Sequence, residues 1–300
     1  MTDGAISTHG LTKHYGDVRA LVDLDLEVRA GEIFGFLGPN GAGKTTTIRT
    51  LMDEIRPTAG SATIVGLDTH DDAVVIRRHV GYLPGDLAMY PNLTGRDTLT
   101  YFANLRGGVD WQYVEALADR LEADLSVKVG DLSTGNRQKV GIIQAFMNRP
   151  DVLIMDEPSA GLDPLVQRTF QGLMKEVTAN GSTVFLSSHT LSEVQRVADR
   201  VGIIRSGRLI TVEGVQDLRS KAMRRVDLFF DGPVDSGALE SVGGVRDVES
   251  RNHHVSMSFD GRMDELLAAA SSTGTLLDIT TQEADLEEIF LTYYREEVPA

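Results

Sequence analysis

Residues 38–46 read GPNGAGKTT, and the pattern G-x-x-x-x-G-K-[ST] is filled by Gly38, Gly43, Lys44 and Thr45. Glycines at this spacing let successive backbone N–H groups turn inward. A helix opening at the end of the loop adds its positive N-terminus, so the stretch forms a nest for phosphate oxygens. Lys44 then reaches the outer phosphates of a nucleotide as a point charge, and the Thr45 hydroxyl holds Mg²⁺. The expected phosphate contacts are Gly38, Pro39, Asn40, Gly41, Ala42, Gly43, Lys44, Thr45 and Thr46. A glycine turn with an incidental lysine is the plain alternative. Context argues against it, because an apolar run at 33–37 precedes the loop and a helix-like run at 46–52 follows, as the pattern requires.

Other stretches bear chemistry. Residues 152–158 read VLIMDEP, a strand too apolar to have a wet face that ends in two carboxylates. The carboxyl ends of parallel strands are where ligands bind in open α/β sheets. Asp156 is placed to hold Mg²⁺, directly or through water, and Glu157 to polarise the water that attacks the γ-phosphate. Alone, the pair reads as a solvated acidic turn; with the upstream loop it reads as part of a hydrolytic site. Residues 132–136, LSTGN, precede a helix that Ser133 or Asn136 could cap. Ser133, Gly135 and Asn136 at a positive helix end also make a second anion site. One γ-phosphate does not need two such cradles from one subunit, whereas a sandwich of two subunits gives each a use. Asp163 stands before Pro164, a proline suited to opening a helix, and His189 follows an apolar strand where it would contact the γ-phosphate.

The elements that must position these residues follow from periodicity. Residues 21–28, LVDLDLEV, alternate as a half-buried antiparallel strand, with His14, Tyr15 and Gly16 at a tip ahead of it. Residues 86–149 turn mostly helical, with helices at 94–105 and 111–123 behind the caps Thr94 and Asp110; Tyr101, Phe102 and Trp111 read as core. Regular α/β alternation resumes with strands at 152–155 and 183–186, helices at 165–179 and 191–198, and a hairpin across Ser206 and Gly207. From 224 the order restarts as βαββαβ with an extra helix from Glu283, a small ferredoxin-like layer. His253 and His254 face opposite sides of a strand and read as hairpin residues, not a joint metal site. The fold class is α/β: a P-loop core with an antiparallel β subdomain and a helical subdomain at about 86–149, within a domain of 1–220, then an α+β domain of 221–300.

Composition bounds the rest. Three hundred residues suit one large domain plus a small one, and 41% hydrophobic with 24% charged residues is ordinary for a soluble chain. A formal charge of -15 argues against a general affinity for nucleic acid. No cysteine means no disulfide, thiolate chemistry or cysteine-bound metal. No apolar run reaches about 18 residues and the start lacks a charged-then-apolar leader, so the chain is expected neither to span a membrane nor to be secreted.

Jointly, these residues resemble the ATP-binding subunits of ABC transporters over residues 5–215. Residues 38–46 match the Walker A motif, Asp156 with Glu157 match Walker B, and LSTGN resembles the signature LSGGQ with threonine and asparagine substituted. The resemblance implies ATP and Mg²⁺ as cofactors, with Glu157, His189 as the switch histidine and Lys44 as the catalytic set. It further implies Tyr15 stacked on adenine, Asp163 in the D-loop, and a head-to-tail pair of subunits holding two ATP molecules. A separate transmembrane permease would be the partner, placing the chain in the cytoplasm on the inner face of the cell membrane. Residues 286–294, LEEIFLTYY, look like the tail of drug-exporter-type subunits. One departure stands out. Where the family has glutamine, or often glutamate in exporter-type members, this chain has Gly85; Asp86 substitutes, or water fills the gap, or coupling is altered. Two other readings are a soluble ABC-type ATPase acting on ribosomes or DNA, and a small-molecule P-loop kinase.

Overall fold

The structure is a computed structural model describing residues 4–221 and 224–282. Contacts divide the chain into two compact units, Met1–Gly214 and Val215–Ala300.

The first unit runs β1 (Gly4–Tyr15), β2 (Val18–Arg29), β3 (Ile33–Leu37), α1 (Lys44–Leu51), β4 (Ala59–Ile64), β5 (Leu67–Asp68), α2 (Ala73–His79) and β6 (Val80–Leu83). It continues through α3 (Gly95–Leu105), α4 (Trp111–Arg120), α5 (Thr134–Phe146), β7 (Val152–Asp156), α6 (Pro164–Ala179), β8 (Thr183–Ser188), α7 (Leu191–Val197), β9 (Arg200–Arg205) and β10 (Arg208–Gly214).

Two sheets form its frame. An antiparallel sheet has the order β2-β1-β4-β5, and β2 alternates buried Leu24, Leu26 and Val28 with exposed Asp25, Glu27 and Arg29, as a one-sided strand should; buried Leu21 lies beyond an irregularity at the left-handed Asp23. The other sheet has the order β10-β9-β3-β8-β7-β6, parallel from β9 to β6. Every residue of β3, β7 and β8 is buried, which explains their continuous apolar runs. Between the sheets Phe34 and Phe185 stack at 5.9 Å and Phe36 leans on Phe185 at 5.4 Å. Burying each of these rings contributes about 1.5–3 kcal/mol.

The helical stretch forms where sequence places it. Thr94 and Asp97 close a capping box at α3, and Asp110 caps α4 through the N–H groups of Gln112 and Tyr113. The aromatic residues expected in its core are not there. Tyr101 is exposed, and Phe102 and Trp111 are half-buried. The buried stripe is Leu99, Ala103, Val114, Leu117 and Ala118. Tyr101 lies two residues past Leu99, about 200° around the helix, so it cannot share that face. It packs edge-on against Tyr90 and Phe102 instead.

The second unit contains α8 (Val215–Lys221), β11 (Arg224–Phe230), α9 (Gly237–Glu240), β12 (Val245–Arg251), β13 (His254–Phe259), α10 (Met263–Thr273) and β14 (Leu276–Gln282). Its sheet has the order β12-β13-β11-β14 with all neighbours antiparallel, the ferredoxin-like arrangement. Val226, Leu228, Phe230, Val255, Met257 and Phe259 form the core with Leu239 and Leu266. The first helix of the βαββαβ order, α9, is a single turn. Its stretch carries Gly237, Gly243 and Gly244, which disfavour helix propagation. The helix expected from Glu283, and the tail at 286–294, lie outside the described residues.

Candidate active site

The parallel register brings four strand ends to one rim. Leu37 pairs with Ser188, Ser187 with Asp156, and Met155 with Leu83. The glycine-rich loop after β3, Glu157 after β7, His189 after β8 and Gly85 beyond β6 therefore leave the sheet side by side, at the edge where open α/β sheets bind ligands.

The loop itself is fixed by its glycines and by neighbours. Gly43 stands at the N-cap of α1 with φ 112°, and a Cβ there would lie 2.7 Å from the Ala20 carbonyl oxygen. Only glycine meets both demands. The Gly38 N–H donates to the Ser188 carbonyl at 3.3 Å, tying the loop to the end of β8. No side chain caps α1 and no acid lies in its first turn, so its positive end faces the loop. Thr45 is exposed there and Thr46 half-buried; Pro39, Asn40 and Gly41 are exposed, and Ala42 is buried.

Lys44 is 6% exposed, and a buried ammonium requires partners. Its Nζ donates to the Gly38 carbonyl at 2.7 Å and the Pro39 carbonyl at 3.3 Å, and lies 3.4 Å from Glu157 Oε1. The other oxygen of Glu157 is 2.8 Å from His189 Nδ1. Lys44, Glu157 and His189, which the sequence spreads over three segments, thus touch. Glu157 has φ 49°, a left-handed conformation that costs a non-glycine residue of order 1–2 kcal/mol. It turns the chain sharply off β7 and aims the carboxylate across the rim.

Asp156 is 2% exposed. Ser187 donates to its Oδ1 at 2.5 Å, and a Cβ on Gly85 would lie 3.0 Å from its Oδ2. Position 85 therefore faces Asp156 directly, while Asp86 next to it is exposed.

Ser133 caps α5 by accepting from the Asn136 N–H at 3.2 Å, so serine is the cap and Asn136 its donor. Gly135 packs on the Gly161 carbonyl, and Gln138 Nε2 donates to the Pro158 carbonyl at 2.9 Å. Asp163 caps α6, accepting from Leu165 and Val166 at 3.0 Å each, with Pro164 in the first turn. No hydrogen bond or ion pair among the described residues joins 133–136 to 38–46. Tyr15 closes β1, half-exposed, with Lys13 Nζ 5.1 Å over its ring, and likewise has no hydrogen bond to the loop.

Ser187 and Gln138 are further residues of this rim with little sign in the sequence. A serine ending a strand of valine, phenylalanine and leucine was the available signal for the first. The second is a buried polar side chain whose partner is remote in sequence and carries no local signal.

A family model described as ABC transporter matches residues 21–160. The chain is 38% identical over 296 residues to the bacitracin transport ATP-binding protein BcrA of Bacillus licheniformis, covering 95% of this chain and 96% of that one. It belongs to the ATP-binding proteins of ABC transporters. This ABC protein is also 32% identical to the daunorubicin resistance ATP-binding protein DrrA3 of Streptomyces coeruleorubidus, over 97% of its own length and 96% of the relative's. A solved ATP-binding subunit of an ABC transporter superposes on it with a TM-score of 0.66 at 31% identity, covering 72% of this chain and 92% of that structure. Its activity is that of an ABC-type ATPase. Among the described residues no helix is long and apolar enough to cross a membrane.

Proposed function

We propose that this ABC ATPase binds ATP and Mg²⁺ between residues 38–46 of one copy and residues 133–136 of a second, and that hydrolysis drives a separate transmembrane permease. The observation that carries the reading is the contact of Lys44 and His189 with opposite oxygens of Glu157. In this reading the amides at 38–46 and Lys44 hold the phosphates, Tyr15 stacks on the adenine, and Glu157 orients the attacking water and takes its proton. His189 holds the Glu157 carboxylate in place and reaches the γ-phosphate. Ser133, Gly135, Asn136 and Asp163 of the facing copy complete the enclosure.

The donor set suits Mg²⁺. Asp156 presents Oδ2 on the side of Gly85, and Thr45 offers a hydroxyl in the first turn of α1. Mg²⁺ prefers such a sparse oxygen set completed by phosphate and water. When bound, it neutralises charge developing on the phosphates. With glycine at 85, water completes the set, or Asp86 reaches it by a bend at Gly85; unchanged turnover and Mg²⁺ dependence in Asp86→Ala would remove Asp86.

Residues 1–220 carry the ATPase and 221–300 an accessory domain for dimer support or regulation. A groove of about 1080 Å³ lined by Tyr82, Pro84, Leu87, Met89, Phe102 and Leu105 is assigned to a cytoplasmic segment of the permease. Pro84 and Leu87 flank Gly85, so an occupant there would press on the Asp156 rim. The names of the relatives favour export of a drug-like or other hydrophobic compound, with the protein on the inner face of the cell membrane.

Dimerisation tests the reading. In a Glu157→Gln background, sedimentation with ATP should show a dimer that Ser133→Arg abolishes while ATP binding persists. A dimer unaffected by Ser133→Arg would contradict the shared site.

A further inference from the structure

Ser187 stands at the end of β8, fully buried, directly across from Asp156 in the parallel ladder. A serine hydroxyl has one proton to give and lone pairs to receive. Here the proton goes to Asp156 Oδ1 at 2.5 Å, and the oxygen accepts the Glu157 N–H at 3.1 Å. One hydroxyl therefore touches the side chain of the first carboxylate and the backbone of the second. Two residues on, the same strand end delivers His189 to Glu157 Oε2.

We infer that Ser187 is the positioning residue that fixes Asp156 and Glu157 relative to each other. Its contact with Oδ1 turns Asp156 so that Oδ2 faces the opening at Gly85. Its contact with the Glu157 amide stabilises the left-handed turn that points Glu157 at Lys44 and His189. Remove the hydroxyl, and the Glu157 N–H loses a buried partner while Asp156 becomes free to rotate. Ser187 touches neither nucleotide nor water in this scheme and acts through the carboxylates. The inference rests on the reading above, in which Asp156 faces the cation and Glu157 the water.

The test compares Ser187→Ala with Ser187→Cys, which keeps the side-chain shape with a slightly larger atom that is only a weak donor. Four quantities are measured on the full chain: melting temperature, metal-free ATP affinity, Mn²⁺ affinity by EPR with a non-hydrolysable ATP analogue, and kcat. Hydrogen bonds to charged groups are worth enough to predict about a tenfold or greater loss of both Mn²⁺ affinity and kcat, with metal-free ATP affinity within about twofold. A merely structural serine would lower the melting temperature and leave that split absent. Should the alanine variant not fold, the cysteine variant decides. Mn²⁺ affinity and kcat within about twofold of wild type in a folded variant overturn the inference, given a Glu157→Gln control that is inactive. Normal turnover in that control would overturn the reading of the site and the inference together.

Discussion

A Cβ on Gly135 would sit 2.3 Å from the Gly161 carbonyl oxygen, so the turn that opens α5 and the turn that follows Glu157 meet backbone to backbone. Gln138 strengthens the junction by donating to the Pro158 carbonyl at 2.9 Å. Ser133 and Asn136 are thus carried on the same support as Glu157, although the two stretches lie far apart in sequence. In the proposed dimer, this junction would link a shift at the carboxylate to the surface that faces the second copy.

Gly135→Ala tests that junction. The added methyl cannot fit without parting the two turns, and overpacking of this kind costs about 1–3 kcal/mol. The variant should fold with a lowered melting temperature, bind ATP through the intact loop at 38–46, and fail to form the ATP-dependent dimer. Sedimentation with and without ATP reads the outcome.

Asp163 should give the protein a pH signature. The Val166 N–H holds its carboxyl below the usual carboxylate range; desolvation opposes this, and the Leu165 N–H and the charge of Lys139 add to the lowering. A group whose folded pKa is depressed contributes stability above its unfolded pKa, about 3.9, and loses it as pH falls through the folded value. The gap in melting temperature between wild type and Asp163→Ala should therefore be constant from about pH 8 to 5 and narrow below about pH 4. Asp163→Asn caps nearly as well without charge, so its gap from Asp163→Ala should not vary with pH.

Leu105, at the end of α3, is 66% exposed and lines the groove assigned to the permease. Leu105→Glu should change stability by no more than about 0.5 kcal/mol, as surface substitutions do. ATPase activity of the isolated subunit should persist while co-purification with a co-expressed cognate permease is lost. Retained co-purification would move the docking surface elsewhere.

Much of this was legible in the chain because the signals are local. A glycine-spaced loop between an apolar run and a helix, Thr94 and Asp110 before amphipathic runs, and Asp163 before Pro164 each encode their geometry within a few residues. The order of strands after 224 was legible for the same reason, since periodicity and turns set βαββαβ and the ladder followed. Contacts between remote segments were not. Neither the meeting of Gly135 with Gly161 nor the reach of Ser187 to Asp156 has a sequence spacing that would reveal it. Apolar character alone predicts burial for Tyr101, Phe102 and Trp111, but the phase set by Leu99 and Ala103 turns Tyr101 outward. Glu157 is the sharpest case. Its left-handed backbone is unfavourable in isolation and persists only because strand, serine and lysine together hold it.

On the proposed reading, Glu157 performs the water-side step between Lys44 and His189. Glu157→Gln keeps the size and removes the charge, so the direct measurement is steady-state ATP turnover of this variant alongside its ATP-dependent dimer by sedimentation. Turnover should be abolished while an ATP-bound dimer accumulates. Near-normal hydrolysis with no trapped dimer would contradict the account.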